Sequence, residues 1–163
     1  MYKSQADAVK DWLIAYQNSE KHLDNQIERL RSLQARMMSV GAQQLSDMPR
    51  PPSAPKDRMS EYVVQVEALE LSIERETKQQ EACKQTILDL TSRLEKEEAC
   101  KLIRYRYLYG YEWSDVMYEL YRDQKDIVDK QNTYKRRMYR LHDTTLKELA
   151  KLWTKPRKDG SQK

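Results

Sequence analysis

Phenylalanine is absent, and the 163 residues hold only three glycines. A β-rich fold with many tight turns needs more glycine than this, so the composition argues against one. Apolar bulk comes largely from Leu, Met and Tyr. Leu and Met are good helix formers, whereas Tyr is neutral or worse. Between residues 56 and 109 there is neither proline nor glycine, which permits very long helices. The two cysteines, Cys83 and Cys100, lack CxxC spacing and a second pair. Neither a zinc site nor a disulfide framework is thereby indicated, and two buried thiols in a reducing cytosol are the expectation. Long hydrophobic runs are missing too. The first residues have no apolar signal core, and no stretch approaches the roughly 20 apolar residues of a membrane span. A soluble, cytoplasmic protein with no membrane partner is expected.

Charge is plentiful, at 34% of residues, and it is unevenly placed. Residues 1–98 carry 14 Lys/Arg against 17 Asp/Glu, a net of −3. Residues 99–163 carry 16 against 9, a net of +7. Basic charge gathered in one segment is the footprint of a polyanion-binding surface, although a solvated lysine-rich helix face gives the same count.

Proline breaks the chain once, at residues 46–56, where Pro49, Pro51, Pro52 and Pro55 predict an extended connector. On either side the apolar residues alternate at steps of three and four. Val9, Leu13, Tyr16, Leu23, Ile27, Leu30 and Met37 make one seam, interrupted by Glu20 and Gln34. Met59, Tyr62, Val66, Leu69, Ile73, Cys83, Ile87, Leu90 and Leu94 make another, interrupted by Glu76 and Gln80. Seams of this spacing wind helices together. The expected fold class is therefore all-α, with a long antiparallel helical hairpin, a coiled-coil arm, over residues 1–97. The hairpin buries little by itself, so a homodimer that completes the seam is a second arrangement. The polar interruptions either set register and oligomer state or are tolerated at an exposed seam.

After the arm, residues 104–111 alternate in a way that fits a short strand, but a lone strand would leave its backbone unpaired. Read as helix, Cys100, Ile103, Tyr107 and Leu108 share a face, and Gly110 stands where a C-terminal glycine belongs. Trp113, Val116, Met117 and Leu120 form a second short apolar face, with Ser114 and Asp115 in its first turn. A longer helix follows, with Tyr134, Met138, Leu141 and Leu149 on one side. Three helices with a short middle one outline a helix-turn-helix domain over residues 98–153, and residues 154–163 read as a basic flexible tail.

The segment KLIRYRYLYGYEWSDVMYEL resembles the first two helices of region four of bacterial sigma factors. MYRLHDTTLKEL resembles the end of that region's recognition helix. The whole plan is similar to small phage and prophage proteins of Gram-positive bacteria, whose relatives include late-gene transcriptional activators. The connection between Tyr121 and Thr133 is several residues longer than that pattern. The resemblance implies a sequence-specific transcription regulator acting on double-stranded DNA.

Helical spacing turns Asn132, Arg136 and Arg140 away from the packed face, with Thr133 and Arg137 on its flanks and Lys130 near the helix start. Arg pairs bidentately with guanine, Asn reads adenine, and Lys or Thr holds phosphate. Lys155, Arg157 and Lys158 add charge that could follow the DNA backbone. The bland alternative is a surface helix kept soluble by arginines. His142 fits a structural or phosphate-contacting residue better than a catalyst, and the tyrosines between 105 and 121 fit packing better than a stacking platform. Trp12, Trp113 and Trp153 read as core or interface anchors. With no phosphate loop, metal spacing or paired carboxylates, neither enzyme activity nor a cofactor is expected. The competing class is a coiled-coil adaptor or inhibitor that acts on host RNA polymerase or another host or phage protein.

Overall fold

The computed structural model describes residues 4–44 and 58–154. Among the described residues every regular element is helical and there is no strand. Helix α1 spans Gln5–Gln44 and α2 spans Arg58–Ser92. Helix α3, Glu97–Ile103, runs on into a π turn at Arg104–Leu108. Helices α4, Trp113–Tyr121, and α5, Gln131–Thr154, complete the order. The proline connector at 46–56 lies outside the described residues, as do Lys155, Arg157, Lys158 and nearly all of the basic tail. No helix among the described residues is long and apolar enough to cross a membrane.

Helix α1 starts where its capping chemistry places it. The Ser4 hydroxyl accepts the Asp7 amide at 3.1 Å, and the Asp7 carboxylate accepts both the Ser4 amide at 3.3 Å and its hydroxyl at 2.7 Å. Two otherwise orphaned amides are thereby satisfied reciprocally.

Contacts divide the chain into two compact units, one of Met1–Asn18 with Ala82–Lys163 and one of Ser19–Glu81. The apolar residues Val9, Leu13 and Tyr16 share one buried cluster with the helices that follow α2.

Within Ser19–Glu81 the two helices pair antiparallel. A Cβ on Gly41 would lie 3.4 Å from Met59 Cε, and Gln26 Nε2 donates to Glu76 Oε1 at 3.1 Å. Leu33 and Val66 are buried here, while Leu23, Ile27, Leu30, Leu69 and Ile73 are half-buried. The interruption at Glu76 sits in a polar layer. Its carboxylate also accepts the Ser72 hydroxyl at 3.4 Å and stands 3.9 Å from His22 Nε2. Polar groups engaged across a seam fix its register, since a slip would bury them without partners.

In the other unit, Leu13, Ile87, Leu102, Ile103, Val116, Met138 and Leu149 are almost wholly buried, and α3, α4 and α5 pack pairwise. Arg104 reaches back to the end of α2, donating from Nε to the Thr91 hydroxyl at 3.0 Å and from a terminal nitrogen to the Leu88 carbonyl at 3.3 Å. The Leu88 carbonyl also accepts the Thr91 hydroxyl at 3.1 Å, so the cation adds to a small polar group at the last turn of α2, where positive charge suits the helix dipole. The expectation of ordinary helix over residues 104–108 needs correction, because the Tyr109 amide bonds to the Arg104 carbonyl five residues back, at 3.0 Å. One extra residue per turn widens the helix before it stops. The stop itself is as expected, with Gly110 at φ +71°, a conformation that side chains disfavour.

Candidate nucleic-acid interface

Helix α5 buries Tyr134, Met138, His142, Thr145 and Leu149, which follow one another at steps of three and four. The opposite face is therefore fixed in solvent. Thr133, Arg136, Arg137 and Arg140 are all exposed, and together they line one concave surface. Residues 131–142 hold four Lys/Arg and no Asp/Glu, and the exposed Asp143 follows directly, three residues after Arg140. Among the described residues, Arg136 and Arg140 have no ion-pair partner. Arg137 is set by its neighbour, its guanidinium lying 5.4 Å from the centre of the Tyr121 ring.

The remaining expected contacts divide. Asn132 is exposed but does not line the concave surface. Lys130 is exposed, yet its ammonium stands 3.0 Å from Asp126 Oδ2, so its charge is engaged before any anion arrives. Asp126 also accepts the Tyr134 hydroxyl at 2.6 Å. The Tyr134 bond first, and Lys130 second, hold the Asp126 carboxyl below its ordinary range. Sequence reasoning missed Lys147, which is exposed seven residues after Arg140 and so falls on the same helix face.

Helix α4 runs antiparallel to α5 and braces it. Trp113 meets the Tyr139 ring at 5.4 Å and the His142 ring at 4.9 Å, and Tyr121 meets Tyr134 at 5.1 Å. Between the two helices, residues 122–130 form successive turns anchored by the buried Ile127. That connection is longer than the three or four residues of a compact helix-turn-helix.

His142 is 4% exposed, and the Tyr107 hydroxyl lies 3.0 Å from its Nε2. Burial pushes the imidazole down to about 4; Asp143 opposes the shift, and the charges of Lys10 and Arg106 add to it. It is neutral at pH 7 and shut off from solvent, so the phosphate-contacting reading of His142 does not hold. Burial likewise drives the Tyr107 phenol up to about 12. Trp12 and Trp153 meet edge to face at 4.4 Å, and Trp113 lies under the Arg106 guanidinium at 4.8 Å. Tyr107 and Tyr121 are buried as packing residues, whereas Tyr109, Tyr111 and Tyr118 are exposed. Among the described residues no group of three His, Cys, Asp or Glu could hold a metal ion.

No protein-family model, curated protein or solved structure matches the chain.

Proposed function

We propose that this is a non-enzymatic, sequence-specific DNA-binding regulator of transcription, of the phage or prophage kind, which uses α5 as its recognition helix. The observation that carries this reading is the convergence of Thr133, Arg136, Arg137 and Arg140 on one concave surface, lined by no carboxylate, of a helix braced from behind. In the proposed complex Arg136 and Arg140 enter the major groove toward base edges. Thr133 and Arg137 hold phosphates on either side. Lys147 and the tail residues Lys155, Arg157 and Lys158 add backbone contacts.

A second reading has its own support. The connection over residues 122–130 departs from a compact helix-turn-helix, and the paired helices of Ser19–Glu81 have no part in DNA contact. A coiled-coil adaptor acting on host RNA polymerase or another protein, as monomer or homodimer, would use those features instead.

Fluorescence anisotropy with a labelled duplex, repeated across a salt series, separates the two. DNA binding through α5 predicts a steep salt slope. It also predicts that Arg136→Ala/Arg137→Ala/Arg140→Ala flattens that slope by up to about 3 while circular dichroism is unchanged. Equal affinity in the triple variant and the parent chain overturns DNA recognition by α5 and promotes the adaptor.

A further inference from the structure

A second concave surface of the same unit is lined by Tyr111, Asp115, Tyr118 and Glu119, none of which lines the arginine surface. Beside it Tyr109 is 59% exposed, and Tyr118 is 57% exposed. These rings stand on a braced backbone. The Tyr109 amide donates to the Arg104 carbonyl at 3.0 Å and the Tyr111 amide to the Tyr105 carbonyl at 2.9 Å, with Gly110 turning between them. Arg106 donates to the Tyr111 carbonyl at 2.8 Å. The Tyr105 and Tyr111 rings lie parallel, 2° apart in plane and 5.4 Å between centres, and Tyr109 leans on both at 5.9 and 6.3 Å. Rings held in this way lose little freedom when something covers them, which is why tyrosine is favoured at contact surfaces. Packing among the helices accounts for Tyr107 and Tyr121; it does not account for Tyr109 and Tyr111, exposed just after a π turn, an element that recurs at functional sites, or for Tyr118, exposed beside them on α4.

Charge selects what covers them. Asp115 has no ion-pair partner among the described residues. Glu119 is 3.5 Å from Arg122 and Glu112 is 3.7 Å from Arg106, but both carboxylates are solvated pairs of little strength. Of the four side chains that line the surface two are carboxylates and none is a cation, which disfavours a phosphate there. A lysine or arginine laid over Tyr118 or Tyr111 gains the ring face and a carboxylate together.

We propose that Tyr109, Tyr111 and Tyr118, with Asp115 and Glu119, form a docking surface for a cationic segment of a partner protein, one presenting an arginine or lysine among apolar side chains. The unit then carries an anion-facing surface on α5 and a cation-facing surface at the π turn and α4. The second stands whether or not α5 binds DNA.

The test titrates the full chain into three labelled amphipathic helical peptides, built on leucine with arginine, glutamine or glutamate, and reads anisotropy. The arginine peptide binds and the other two do not. Tyr109→Ser/Tyr118→Ser weakens it by about tenfold or more. Asp115→Lys/Glu119→Lys does the same and transfers binding to the glutamate peptide. Duplex affinity of the tyrosine variant stays at the parent value, and circular dichroism checks its fold. Failure of the arginine peptide to bind, equal binding of all three, or binding that survives both double variants overturns the proposal. So does sedimentation showing that the tyrosines instead hold a second copy of the chain.

Discussion

The Tyr107 hydroxyl lies 3.0 Å from Nε2 of His142, tying the π turn to the middle of α5 inside the core. The contact suits a neutral imidazole, and it makes the unit sensitive to acid. In the unfolded chain His142 protonates near 6.5, whereas in the folded protein burial delays this to about 4. The unfolded state therefore binds more protons across that window, and stability falls as pH drops from about 6.5 toward 4. The full loss is about 3 kcal/mol, from 1.36 kcal/mol per pH unit. Urea denaturation at a series of pH values measures it, and His142→Gln should show a much shallower fall over the same range.

Gly110 is the one described residue with positive φ, at +71°, and a Cβ placed there would meet nothing within 4 Å. The cost of Gly110→Ala is thus backbone strain alone, about 1–2 kcal/mol. Gly110→Asn should cost less, because asparagine tolerates this conformation. Equal losses for the two variants in denaturation midpoints would count against the left-handed turn.

Ile87 is 1% exposed, and Ile73 is only half-buried. Ile87→Asp puts an unpaired carboxylate among apolar neighbours and should cost on the order of several kcal/mol. At Ile73 the same change leaves the charge within reach of water, so its cost is smaller. Thermal melts of the two variants rank the sites directly.

For DNA, the triple arginine variant and a tail variant should behave differently. On the proposed DNA-binding reading, Lys155→Ala/Arg157→Ala/Lys158→Ala removes charges that would track the backbone, and affinity should drop by a similar factor for every duplex. Loss of the arginines on α5 also erases the preference between duplexes. Anisotropy with two unrelated duplexes in competition reads both effects.

Much of the core was legible because buried helix positions recur at steps of three and four. Val9, Leu13, Tyr16, Ile87, Leu90 and Leu94 are buried on that pattern, and so are Tyr134, Met138 and Leu149. His142 obeys the same steps, four after Met138, but its polarity masked the signal. The π turn was not legible, since Ile103, Tyr107 and Leu108 fit an α-helical face equally well. Ile127 was missed because charged residues surround it in the sequence and the apolar run is only Ile127 and Val128, the second of which is exposed. Helix geometry turned Asn132, Arg136 and Arg140 to the solvent side with Thr133 and Arg137 flanking, and the concave surface holds the flanking pair and the two arginines without Asn132. The pairing of Lys130 with Asp126 needed the turn over residues 122–130, which no local pattern specifies.

The shared core of residues near the N-terminus with the last helices has a consequence for synthesis. Val9, Leu13 and Tyr16 leave the ribosome more than a hundred residues ahead of Met138, Leu146 and Leu149, members of the same buried cluster. The first turns of α1 must therefore wait with their apolar stripe uncovered while residues 19–81 are made. Closing so long a loop slows folding, and any chain cut short before α5 leaves that cluster incomplete, with apolar surface open to aggregation or to chaperones.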